Sequence, residues 1–222
     1  MSVLPEEPVS PREFIESVVP SLFAAVELDP SQEAQELRLG VVLRDTQAEG
    51  EGGEWTLHFV GKEVAVSEGR QEACDLTIVQ SVADWRAAIW EGRPALVADV
   101  FDRVRAEGPE ALRGPTPPGG ERPDPLRGIS DLSGLIEGVV EGSDVTGAAD
   151  WRIGVQIGGG PLPEAPQATI RLGAHQADEI RAGRLHPLEA LITGQLQLDG
   201  DLGLILQLQA VAMSISMAAG GT

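Results

Sequence analysis

The chain has 222 residues and 42% hydrophobic content, enough for one large domain or two small ones with a substantial core. Its 35 acidic against 16 basic residues leave a formal net charge of -19, which repels the phosphate backbone of a nucleic acid and an anionic bilayer surface alike. Nucleic acid is excluded as a partner on that ground, and a single cysteine, Cys74, excludes an intramolecular disulfide.

The N-terminal stretch Met1 to Pro11 carries Glu6 and Glu7 and has neither a basic region nor an apolar one, so a cytoplasmic location is expected. Ser10-Pro11-Arg12-Glu13 has the form of a capping box and predicts a helix start. Phe14, Ile15, Val18, Val19, Leu22, Phe23 and Val26 then recur at three- and four-residue spacing as one apolar stripe, with a kink expected at Pro20.

From Leu37 the period becomes two. Leu37, Leu39, Val41 and Leu43 predict one strand, Trp55, Leu57 and Phe59 a second, Val64 and Val66 a third beyond a Gly61-Lys62 turn, and Cys74, Leu76 and Ile78 a fourth. Ser81 and Asp84 open a helix that Gly92 closes, and Pro94 opens another that carries Leu96, Val97, Val100, Phe101 and Val104 inward as far as Gly108.

Residues 114–126, with the run Pro115-Thr116-Pro117-Pro118-Gly119-Gly120, sustain neither a helix nor a central strand and mark a linker between a first half, residues 1–113, and a second, residues 127–222. Beyond it, Ile129, Leu132, Leu135, Ile136, Val139 and Val140 fit a short helical stripe. Trp151, Ile153, Val155 and Ile157 alternate as a strand, as do Ile170 and Leu172. A helix around Gln176 to Ala182, one from Pro187, a strand through Leu196 and Leu198, and an apolar terminal helix complete the chain. Gln207, Gln209, Ser214 and Ser216 interrupt that last apolar run, so a buried helix is expected in place of a membrane span.

Trp55 and Trp151, Thr77-Ile78 and Thr169-Ile170, Ile89 and Ile180, and Gly92-Arg93 and Gly183-Arg184 fall in the same order in the two halves, which suggests an internal duplication. The second half also carries Glu179-Ile180, Gly183-Arg184-Leu185, Pro187 and Ala190, then Gly194-Gln195-Leu196-Gln197-Leu198-Asp199-Gly200-Asp201 ahead of the apolar helix. This pattern resembles the sterol carrier protein 2 family. The first half has the family-like opening but no counterpart of Gly194 to Asp201.

The resemblance implies an α+β fold: a mainly antiparallel twisted sheet covered by helices, with an apolar tunnel that accepts acyl chains or sterols. The expected function is non-catalytic binding or carriage of a lipid or other apolar small molecule, with a protein-interaction module as the alternative. The residues expected to line the cavity are Trp151, Ile153, Val155, Ile170, Leu172, Leu196, Leu198, Leu202, Ile205 and Leu206. Core packing competes with that reading for each of them, since any two-layer core shows apolar alternation. The global charge favours a neutral ligand unless an arginine such as Arg152 or Arg171 stands at the entrance.

No cofactor, metal or catalytic residue is expected. His58, His175 and His186 lack Cys, Asp or Glu at ligand spacing, and Glu137, Glu141, Glu164 and Asp178 have no spacing that defines an acid and a base. Gly158-Gly159-Gly160 leads into Pro161 and Pro163 and so lacks the helix that a phosphate loop needs. Asp199 and Asp201 are expected as turn and cap groups of the terminal helix.

Overall fold

A computed structural model describes residues 4–26, 36–45, 50–108, 132–142 and 149–207. The expected linker at 114–126 and the expected apolar helix beyond residue 207 lie outside the described residues. Eight strands form one sheet: β1 (Glu36–Arg44), β2 (Gly53–Val60), β3 (Glu63–Glu68), β4 (Leu76–Ser81), β5 (Gly134–Val140), β6 (Trp151–Ile157), β7 (Ala168–Leu172) and β8 (Gln197–Gly200). Their order is β3-β2-β1-β4-β6-β5-β7-β8, so the two halves of the chain share a single sheet through the antiparallel pair β4 and β6.

Helix α1 runs in three segments, α-helical Pro11–Glu13, π-helical Phe14–Val18 and α-helical Val19–Ala24. Ser10 caps it by accepting from the Glu13 amide at 3.1 Å. The wide π turn sits directly before Pro20, whose missing N–H removes a bond from the ladder. The other helices are α2 (Val82–Trp90), α3 (Ala95–Glu107), α4 (Ala174–Arg181), α5 (Pro187–Ile192) and α6, described over 202–207.

Register explains why one face is apolar across the whole sheet. Val41, Ile78, Val155, Ile136 and Ala168 are successive partners on β1, β4, β6, β5 and β7, and each brings its alternate neighbours to the same side. Over β1 and β2, the α1 residues Phe14, Ile15 and Leu22 pack with Val41, Leu43, Trp55 and Leu57, and with Trp85 and Ile89 of α2.

The opposite face carries a polar cluster beside a small buried apolar one formed by Val42, Val79 and Leu135. Arg70 donates to Thr77 Oγ1, Gln156 Oε1 and the Gly160 carbonyl, each at 2.9 Å, while Thr56 Oγ1 donates to the Gly69 carbonyl at 2.8 Å. Thr77 is fully buried there, and Gly40 beside it has no room for a side chain: a Cβ would stand 2.6 Å from Thr77 Oγ1.

The stretch expected to be helical around Leu132–Val140 is instead strand β5 from Gly134 onward; residues 129–131 lie outside the described residues. Leu135 and Val139 are buried on one face, Ile136 is buried on the other, and Val140 beside it is half-buried. Such a two-sided strand has no polar alternation, and its apolar spacing imitates a helix. With β5 counted, each half contributes four strands, and the same arrangement occurs twice: β1 pairs antiparallel with β2 and parallel with β4, as β5 does with β6 and β7.

Candidate functional site

Among the described residues, two sets of helices stand on the apolar face with a seam between them. On one side, α2 and α3 of the first half cover the start of β6 in the second: Trp151 Nε1 donates to the Asp84 carbonyl at 2.8 Å, and Trp151 packs with Ala87, Ala88, Val97 and Phe101. On the other side α6 covers β5 and β7, with Leu204 and Ile205 packed on Leu132, Ile136, Ile157 and Ala168.

Gln167 fixes where α6 starts. Its side-chain Oε1 accepts from the Leu135 amide at 3.0 Å, its own amide donates to the Leu135 carbonyl at 2.8 Å, and its carbonyl accepts from the Asp201 amide at 2.7 Å. Gly200, at φ 111°, is required at this turn, because a Cβ there would collide with the Gln167 carbonyl. Asp201 then caps α6 by accepting from the Leu204 amide at 3.0 Å, whereas Asp199 stays in β8, 4.0 Å from Arg171.

Along the seam lie Leu76 and Ile78 of β4, Ile153 and Val155 of β6, and Ile170 of β7, all only half-buried. β4 and β6 are the two middle strands, while Trp55 and Leu57 on β2, next to the edge, are fully buried. A filled two-layer core gives the reverse gradient, with the deepest burial in the middle. The residues of α3 follow suit: of Leu96, Val97, Val100, Phe101 and Val104, all expected to point inward, only Val104 is fully buried. An ion pair from Arg181 Nε to Asp99 Oδ2 at 2.7 Å ties α3 to α4 and holds the Arg181 guanidinium above its ordinary pKa.

The residues expected to line a cavity divide between the two flanks. Trp151 and Ile153 lie with α2 and α3; Val155, Ile170, Leu198 and Ile205 lie with α6. Leu172 is buried at the end of β7 and Leu196 is half-buried just ahead of β8. Leu202 and Leu206 face outward, 67% and 54% exposed, because the Asp201 cap sets the helix phase so that Leu204 and Ile205 take the inner side. Sequence reasoning left out Leu204, and it left out Leu76, Ile78, Val97 and Phe101 because they belong to the first half; the pairing that brings them to the second is non-local.

The charged groups considered at the entrance are elsewhere. Arg152 and Arg171 alternate with the apolar residues of β6 and β7 and so project from the opposite face, where Arg152 meets Glu137 at 3.2 Å and Asp150 at 3.3 Å. His58 pairs with Glu36 at 2.8 Å, and this hydrogen bond, with Arg38 nearby, holds the Glu36 carboxyl below its ordinary pKa. Arg184 does the same for Glu179. Among the described residues no group of three His, Cys, Asp or Glu converges, and no helix is long and apolar enough to cross a membrane.

The protein is therefore of the α+β class, with one mainly antiparallel sheet covered by helices on its apolar face. Residues 129–213, which include β5 to β8 and the described part of α6, match the SCP-2 sterol transfer family, so the second half carries the pattern that its glycine and aspartate turns resemble. Among solved structures, the chain is similar to Sterol Carrier Protein 2 Like 2 from Aedes aegypti, at 21% identity over 53% of this chain and 96% of that one, with a TM-score of 0.27. A palmitated SCP2L2 from the same organism is 21% identical over 54% and 93%, with a TM-score of 0.29. The sterol carrier protein domain 2 of Helicoverpa armigera is 20% identical over 45% and 78%, with a TM-score of 0.29. No curated protein matches the chain.

Proposed function

We propose that this protein binds and carries a neutral apolar small molecule, a lipid or a sterol, without covalent chemistry and in the cytoplasm. The ligand lies along the seam between α3 and α6, against Leu76, Ile78, Ile153, Val155 and Ile170. The observation that carries this reading is the incomplete burial of Leu76, Ile78, Ile153 and Val155 on the two middle strands of the sheet. The family match over residues 129–213 supports it. Each methylene transferred from water onto such a surface contributes about 0.8 kcal/mol, so a chain or ring system of ordinary lipid size binds without a charged anchor. Neutrality follows from the net charge of -19 and from Arg152 and Arg171 projecting from the other face.

A protein-interaction role draws on a different observation, the outward pair Leu202 and Leu206, one turn apart on α6. Native mass spectrometry of gently purified protein, with solvent extraction of whatever is bound, separates the two. A stoichiometric neutral lipid is the expected result. An apo mass, together with no uptake of a fluorescent sterol or a fluorescent long-chain alcohol, would overturn the carrier reading in favour of the interaction module.

A further inference from the structure

Three glycines sit inside strands, and two are explained by their neighbours. A Cβ on Gly40 would meet Thr77 Oγ1 at 2.6 Å; one on Gly154 would meet Val79 Cβ at 3.2 Å and Leu135 Cδ1 at 3.3 Å. Both face the crowded side of the sheet. Gly138 differs. It lies in β5 directly between Ile153 of β6 and Ile170 of β7, on the apolar face, and is itself half-buried. Among the described residues a Cβ there would meet only Ile153, in ordinary contact at 3.4 Å to Cγ2 and 3.8 Å to its carbonyl oxygen, and its φ is not in the left-handed region. Among the described residues neither packing nor backbone conformation requires a glycine here, and glycine weakens a strand interior. Ile153 packs with the α3 flank and Ile170 with the α6 flank, so Gly138 makes a notch in the floor of the seam at its midpoint.

From this we infer that Gly138 is the specificity-determining residue of the ligand site: its missing side chain receives the widest part of a rigid, ring-bearing ligand, which a straight chain does not need. The inference rests on the binding reading above. A glycine inside a strand that its neighbours do not crowd often marks a place where a ligand or another backbone approaches closely.

The test is a series Gly138→Ala, Gly138→Val and Gly138→Leu in the full chain, titrated with a fluorescent sterol and a fluorescent straight-chain alcohol, beside Ile78→Phe as a general plug of the seam. The inference expects sterol affinity to fall stepwise, by at least about tenfold at Val, corresponding to about 1.4 kcal/mol, while the straight-chain alcohol changes less than about threefold. Ile78→Phe weakens both. Unchanged sterol affinity across the series, or equal loss of both probes, overturns the role of Gly138 while the Ile78→Phe loss leaves the site in place. If the wild type takes up neither probe, or Ile78→Phe alters neither, the binding reading itself fails and the inference with it.

Discussion

The Arg70 guanidinium donates to Gln156 Oε1 at 2.9 Å, joining the loop after β3 in the first half to β6 in the second. The same side chain serves the buried Thr77 hydroxyl and the Gly160 carbonyl. Replacing Arg70 by Leu strips partners from both Thr77 and Gln156, and leaving buried polar atoms unsatisfied costs about 1–3 kcal/mol. A urea midpoint lowered to that extent, with Arg70→Lys recovering only part because an ammonium lacks the planar fork, is the expected outcome. An unchanged midpoint for Arg70→Leu would remove this network from the account of stability.

Gly40 and Gly138 give opposite responses to the same change. Gly40→Ala drives a methyl into Thr77 and disturbs the Arg70 bonds, an overpacking cost of about 1–3 kcal/mol. Gly138→Ala leaves stability unchanged or raises it, since alanine fits and restricts the unfolded chain. Thermal melts of the two variants check this; equal losses would contradict the distinction drawn between the two faces.

Because β4 and β6 pair and Trp151 is bonded to the Asp84 carbonyl, the two halves are expected to unfold together. Calorimetry should record one cooperative transition with matching calorimetric and van't Hoff enthalpies. Two resolved transitions would separate the halves into independent domains despite the shared sheet.

Glu36 titrates below the ordinary carboxylate value because His58 and then Arg38 stabilise its ionised form. A depressed folded pKa means the contribution is fully present above the unfolded value, about 4.3, and is lost as pH falls through the lower folded value. An NMR titration of the Glu36 carboxyl should give a midpoint below that of an isolated glutamate, and His58→Ala should move it upward. A midpoint unaltered by His58→Ala would assign the shift to Arg38 alone.

Local signals carried most of the fold. The Ser10 and Ser81 caps, the alternation in β1, β2 and β6, and the glycine stops at Gly92, Gly108 and Gly183 are all where the spacing puts them. The exception is β5, whose burial on both faces removes the period that identifies a strand. The site was half legible for a different reason. Ile153, Val155 and Ile170 stand on strands of the second half, but Leu76 and Ile78 reach them only through the pairing of β4 with β6, which joins Leu76 to Ile157, far apart in the chain. Alternation shows which side a residue takes, not which strand lies beside it, and Leu202 and Leu206 show the converse limit, where an apolar helix hides its phase until the cap is known.

The pairing of β4 with β6 also sets an order of events on the ribosome. β1 to β4 emerge well before β6, and at about 5–20 residues per second the inner edge of β4 waits some seconds for its neighbour. During that interval the strand destined for the middle of the sheet is an open edge, the kind of surface on which nascent chains pair with one another. A pause, truncation or slow codon between residues 82 and 150 therefore lengthens the time that β4 stays an open edge, and one directly after β6 does the same for β5, which then awaits β7.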